Sequence, residues 1–458
     1  MNENKRQDLL ARMRGLKQNV EQGRQSRSEQ LQQSVIRKQP DFADLPEYKQ
    51  VRMQEMASQQ LGMANPFYRG HEGTSGATAL IGNRSYDNFA SYDYLGLNGD
   101  ERVQKAAARA IDRYGISASA SRVVAGERTI HAELERAIAE NYRTEAAVCF
   151  VSGYLTNVAA IGCLMGPKDL VIHDEFIHNS ALTGIKLSGA NRRLFKHNDM
   201  ADLERILSTI APAHERVLVI SEGIFSMDGD FADLPGLLAL KKRFGFWLMM
   251  DEAHSLGVLG ETGRGIFEHF GLDSADVDIW MGTLSKTTCS CGGYIAGSEA
   301  LVTLLKAQAG GFVYSVGLAP ALAAAALESL AILKQEPARV HALRNNSRIF
   351  LERARQKGLD TGLSEGYSVI PVIVADSLRA VELSNQLFEE GVNALPIIYP
   401  AVPEGLARLR FFITSAHSEE QIHRAVDLTA ERLSALVQRN FGIGSMDVQS
   451  ILAAMAGR

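Results

Sequence analysis

Five short apolar runs, Ala146–Val151, Leu170–His173, Arg216–Ser221, Phe246–Asp251 and Val277–Gly282, alternate with helical stretches between about residues 85 and 340. Short strands separated by helices pair in parallel through crossovers, which predicts an α/β fold around a largely parallel central sheet flanked by helices. Each run ends in polar or glycine-containing sequence: SGY, HDEFIH, SEGIFS, DEAHS and GTLSK. Ligands bind outside the carboxyl ends of strands in open α/β sheets, so these five tails are expected to converge on one site.

Beyond residue 340 the texture changes to a helix (Val340–Lys357), a strand (Tyr367–Ala375), a helix (Leu378–Glu390), a strand (Ala407–Ile413) and a last helix from Ser418. That alternation reads as a smaller α+β domain. The expected division is an N-terminal helical extension (1–65), a large ligand-binding domain (66–340) and a small C-terminal domain (341–458).

Composition narrows the class. Hydrophobic residues are 46%, charged residues 22%, and the net charge is −5, the balance of a soluble globular protein without the basic field that attracts nucleic acid. The stretch Leu318–Leu333 is broken by Pro320 and Glu328 and is too short for a membrane span, so it reads as a buried helix. The N-terminus has no apolar secretory core, and four cysteines make no disulfide framework in a chain of this length. A cytoplasmic setting is expected. Cys289 and Cys291 lack the second ligand pair of a zinc site, so no metal is expected.

Residues 1–40 stand apart, with nine Lys/Arg against four Asp/Glu. Leu9, Met13, Leu16 and Val20 fall on one helical face before Arg24 and Arg27 interrupt the stripe. The segment reads as a solvated helix against its own domain or a dimer partner, or as a docking arm for an acidic partner.

Chemistry concentrates on the strand tails. Lys286, in GTLSKTTCSCGG, is ringed by hydroxyls just past a strand, a position suited to a Schiff base with an aldehyde cofactor. Asp251 ends the apolar run FWLMMD and needs a cationic or hydrogen-bonding partner. The pyridinium nitrogen of pyridoxal phosphate is one such partner, and pairing there keeps the ring an electron sink. His254, three residues on, can donate to the ring's phenolate oxygen. Ser152, Gly153 and Tyr154 open a helix whose N-terminus suits a phosphate, with Thr283 and Ser285 as further hydroxyls.

Taken together, YLGL, SGY, SEGIFSMDGD, DEAHSLGVLGETGRG, GTLSK, GGYIAG and ARLRFFITSAHS, within a match running from about Tyr92 to Val426, resemble the α-oxoamine synthase family of fold-type I pyridoxal phosphate enzymes. The resemblance implies that Lys286 is the Schiff-base lysine, that Asp251 meets the pyridine nitrogen, and that His254 and Ser226 approach the phenolate oxygen. It implies that His178 stacks on the ring, and that Ser315 reaches the phosphate from the other subunit of a homodimer. Arg410 would bind the amino acid's carboxylate, which a fork-shaped guanidinium fits.

The implied reaction is a decarboxylative Claisen condensation of a small amino acid with an acyl thioester. Asp93, in SYDYLGL, replaces the family's common asparagine beside the substrate, where a carboxylate is unfavourable unless turned away or paired. With LPEYKQVRMQEMASQQLGMANPFYRGHEG upstream, it resembles synthase domains fused to polyketide synthases, which take acyl chains from an acyl carrier protein. Residues 1–40 would then dock the acidic carrier. The alternatives are an 8-amino-7-oxononanoate synthase or serine palmitoyltransferase using acyl-CoA, another fold-type I activity, and a non-catalytic scaffold subunit.

Overall fold

The computed structural model describes residues 39–60 and 62–445. The stripe through Leu9, Met13, Leu16 and Val20 lies outside the described residues. The chain divides into two compact units at Gly62/Met63. In the first, Asp41 accepts a hydrogen bond from Ala43 N (2.9 Å) and caps a 3-10 turn, Phe42–Asp44, followed by a helix over Pro46–Gln60.

The second unit opens with three short strands, β1 (His71–Glu72), β2 (Thr78–Ile81) and β3 (Arg84–Asn88). The central sheet takes β4 (Ala146–Phe150), β5 (Leu170–Asp174), β6 (Asn191–Phe195), β7 (Val217–Glu222), β8 (Trp247–Asp251), β9 (Ile279–Thr283) and β10 (Gly293–Gly297). Its order is β4-β10-β9-β8-β7-β5-β6. β10 runs antiparallel to both β4 and β9, whereas the other pairings are parallel. All five predicted strands therefore point the same way.

Apart from edge strand β6, the sheet is buried on both faces, which is why its strands read as continuous apolar runs rather than alternating ones. Leu248, Met250, Val219 and Trp280 enter one core cluster, and the intervening Met249, Leu218, Ile220 and Met281 enter another on the opposite face. The stretch read as a buried helix forms Pro320–Gln335, with Ala323, Ala326 and Ile332 almost fully enclosed. Among the described residues, no helix is long and apolar enough to cross a membrane.

The C-terminal region forms β11 (Val369–Ala375), β12 (Val392–Asn393), β13 (Leu395–Ile397) and β14 (Ala407–Phe412), with helices over Ala338–Gln356, Ser377–Glu389 and Glu419–Gln438. β11, β14 and β13 make an antiparallel sheet. β12 instead pairs in parallel with β3, and Phe412 N donates to Phe89 O (2.9 Å), so the segment before residue 90 is tied to the C-terminal region. That tie carries Tyr92 and Tyr94 to the same place as β14.

Candidate active site

The carboxyl ends of β4, β5, β7, β8 and β9 surround one cavity of about 270 Å³. Ser152, Gly153 and Tyr154 come from the β4 tail, His178 from β5, Glu222 from β7, Asp251 and His254 from β8, and Thr283, Ser285 and Lys286 from β9. A larger cavity, about 580 Å³, opens beside Trp247 at the other end of the sheet and contains none of these groups.

Ser152 caps the helix Gly153–Leu164, its hydroxyl accepting from Leu155 N at 3.5 Å. A helix start leaves amides free for an anion. Gly153 lets this end approach β9 closely, because a Cβ there would lie 2.6 Å from Thr283 Oγ1. Thr283 Oγ1 donates to Gly292 O (3.0 Å) and lies 2.8 Å from Ser285 Oγ. The result is a small cradle of hydroxyls and amides.

At the centre, Asp251 is buried, accepting from Asn157 Nδ2 (2.9 Å) and Ala253 N (3.0 Å). Glu222 pairs with it in register across β7 and β8 and accepts from His178 N at 2.5 Å. Burial, and then the neighbouring Asp251, push the Glu222 carboxyl well above the usual range. Desolvation brings Lys286 down to about 8, although Asp251 and Glu222 pull the other way. Burial, reinforced by Lys286 and Arg410, holds the His254 imidazole well below its ordinary value, and its Nδ1 lies 2.7 Å from the Tyr94 hydroxyl. Burial also lowers His178, whose Nδ1 meets Ser180 Oγ at 2.7 Å.

Arg410, on β14, donates Nη1 to Ser226 O (2.9 Å) and Nη2 to the Tyr92 hydroxyl (3.4 Å), while its buried Nε has no partner. Tyr92 also lies under Lys286, with Nζ 5.7 Å from the ring centroid. Ser226 therefore contributes its carbonyl to aiming Arg410. Asp93 is not brought to the cavity: Oδ1 accepts from Leu97 N (2.7 Å) and Cys289 Sγ (3.0 Å), and Oδ2 from Asn98 N (3.2 Å). The carboxylate is turned into its own loop. Ser315 is half-buried, outside this cavity, beside the exposed Tyr314 and Val316.

Sequence reasoning missed Glu222, Asn157, Tyr92 and Tyr94. Glu222 carried the same signal as Asp251, a carboxylate closing an apolar strand. Asn157 lies one helical turn beyond Gly153, which puts it on the helix face over the cavity.

A desolvated lysine, a buried carboxylate and an anion cradle on one sheet edge are the parts of an enzyme using a phosphorylated aldehyde cofactor. The family model for aminotransferase class I and II matches residues 86–428. The 8-amino-7-oxononanoate synthase of Symbiobacterium thermophilum is 43% identical over 348 residues, 76% of this chain and 88% of that protein. The solved Sphingomonas wittichii serine palmitoyltransferase superposes with a TM-score of 0.82 at 30% identity, covering 86% of this chain and 99% of its own. A serine palmitoyltransferase solved with PLP gives 0.82 at 26% identity, covering 87% and 99%. The chain belongs to the aminotransferase class I and II family, among its α-oxoamine synthases, and its cofactor is pyridoxal 5'-phosphate (PLP).

The residues present fit that group. Asp251 offers a buried anion to a pyridinium, Gly153 keeps open the cradle a Cβ would fill, and buried Asn157 Oδ1 lacks a partner.

Proposed function

We propose that this chain joins a small α-amino acid to an acyl thioester, forming an α-aminoketone. The Cα–carboxylate bond breaks, a bond from Cα to the acyl carbon forms, and carbon dioxide and the free thiol leave. The observation that carries the reading is Lys286, Asp251 and His254 around one cavity, with Arg410 held at Tyr92 and Ser226.

PLP, when bound, supplies the electron sink that stabilises charge at the amino acid's Cα. Asp251 would hold its ring nitrogen protonated, His178 would cover its face, and Ser152, Gly153, Thr283 and Ser285 would hold its phosphate. His254, kept neutral and fixed by Tyr94, would orient the phenolate side, with Ser226 nearby. Lys286 Nζ, brought to about 8, is poised to take a proton from Cα and return it near neutral pH. Arg410 would hold the substrate carboxylate with the fork that Ser226 O and Tyr92 aim.

We read residues 66–340 as the cofactor-holding part and 341–458 as the smaller domain bringing Arg410. Exposed Tyr314 (89%), Val124 (82%) and Ile116 (71%) lie on two segments joined by Gly317 N donating to Ala120 O. Such an apolar surface supports a second copy covering it, with Ser315 reaching the partner's phosphate cradle. The five excess positive charges of residues 1–40 favour an acyl carrier protein as donor. Removing them should slow turnover with a carrier-bound acyl group at low salt and leave acyl-CoA turnover unchanged; equal rates with the carrier would refute the docking role. The reaction itself is tested by following the absorbance of PLP-loaded enzyme with glycine, alanine and serine. Product masses with CoA-bound and carrier-bound acyl groups then identify the donor, and no response to any amino acid counts against the reading.

A further inference from the structure

Beside the cavity, an imidazole is clamped between two carboxylates that the reaction does not use. His197 follows edge strand β6; its Nδ1 lies 2.8 Å from Asp174 Oδ1 and its Nε2 2.7 Å from Asp230 Oδ2. The three side chains are 11%, 0% and 8% exposed. Phe176 stacks on the imidazole at 4.3 Å and Phe225 meets it edge-on at 4.5 Å. Carboxylates accept hydrogen bonds, so an acceptor at each ring nitrogen calls for two N–H groups, the protonated form. Desolvation works against that charge, but the bonds to Asp174 and Asp230 outweigh it and lift His197 to about 10.

What the two carboxylates are attached to gives the cluster its meaning. Asp174 ends β5, and its Oδ1 also accepts from Phe176 N (2.9 Å), shaping the four-residue path to His178. Asp230 closes the turn 225–230, in which Phe225 N donates to Asp230 O and Gly229 N to Phe225 O, both at 2.9 Å. That turn holds two arginines of β14: Ser226 O takes Arg410 Nη1, and Met227 O and Asp228 Oδ1 take Arg408 Nη1. Asn198 repeats the link, donating N to Asp174 Oδ2 (2.9 Å) and Nδ2 to Phe231 O (3.0 Å). One cation thus joins the loop of His178 to the turn that aims Arg410.

We propose that His197 is a positioning residue, bridging Asp174 and Asp230 to fix where the His178 loop stands relative to the Arg410 turn and hence to the substrate carboxylate. This rests on the condensation reading above. Without the bridge two buried carboxylates face one another, and repulsion separates the loops. Small displacements of a positioning group weaken substrate binding strongly.

The test uses PLP-loaded His197→Gln, His197→Gln/Asp230→Asn and Asp230→Asn, titrated with alanine, glycine or serine by absorbance. The expected result is normal cofactor absorbance, amino-acid affinity about tenfold weaker in His197→Gln, and partial recovery in the double variant, where the repulsion is gone. KM for the amino acid should rise more than kcat falls. Affinity within twofold of wild type, or no recovery in the double variant, would overturn the proposal. If His197→Gln does not fold, Asp230→Asn decides by the same titration, weaker binding supporting the bridge and unchanged binding refuting it. Absence of any response by the wild type would instead mark failure of the condensation reading.

Discussion

The two ends of the central sheet treat charge in opposite ways. At the amino end, each charge meets its opposite, whether exposed or covered: Lys168 with Glu215 (2.9 Å, 77% and 62% exposed), half-buried Lys241 with Asp278 (2.9 Å), and Arg216 with buried Asp169 (2.6 Å). At the carboxyl end, Glu222 and Asp251 stand side by side on adjacent strands, near a lysine brought down to about 8 and a histidine held neutral. The same strands run through both ends, so the fold does not require this arrangement. Desolvation and like-charge proximity lower stability, and groups kept in such states mark where chemistry is done.

Substitutions should separate the two ends by orders of magnitude. Lys286→Ala should lower turnover on the order of 10³-fold or more and abolish the absorbance of lysine-linked cofactor, read by spectrophotometry on the purified protein. Arg410→Lys keeps the charge but loses the fork, so KM for the amino acid should rise roughly tenfold with a smaller change in kcat. The apo protein gives a pH test. PLP attaches to a neutral amine, so its rate of attachment should climb as pH rises toward about 8, the value for Lys286, and then level off. An ordinary lysine would keep gaining up to its usual value of about 10.5. At the amino end, Lys168→Ala should leave kcat and KM unchanged and cost less than about 1 kcal/mol in denaturant unfolding. A large kinetic effect there would break the comparison.

Much of this contrast was legible in the chain. Five doubly buried strands announce themselves as apolar runs, and each forms within about two residues of its expected bounds. The PLP fold and the condensing class followed from motifs on their tails. Three features were not legible. β6, NRRLF, is an edge strand whose first four residues are exposed, so it has no apolar run to read. β10, GYIAG, is antiparallel and inserted between β4 and β9, a placement set by partners rather than by its own residues. The joining of β3 to β12 spans some 300 residues and rests on backbone pairing, yet it delivers Tyr92 to Arg410 and Lys286, and Tyr94 to His254.

Side-chain direction was the other gap. Asp93 was placed beside the substrate because of where it falls in its motif, but the amides of Leu97 and Asn98 offered two nearer donors and turned the carboxylate inward. His197 went unread for the opposite reason. Its partners, Asp174 and Asp230, lie 23 and 33 residues away, and no spacing rule connects them.

The central claim is condensation at the carboxyl end of the sheet. Its most direct test incubates PLP-loaded enzyme with an amino acid and an acyl thioester and follows free thiol and carbon dioxide together. The account predicts their release in equal amounts with an α-aminoketone as product. A keto acid formed without thiol would contradict it.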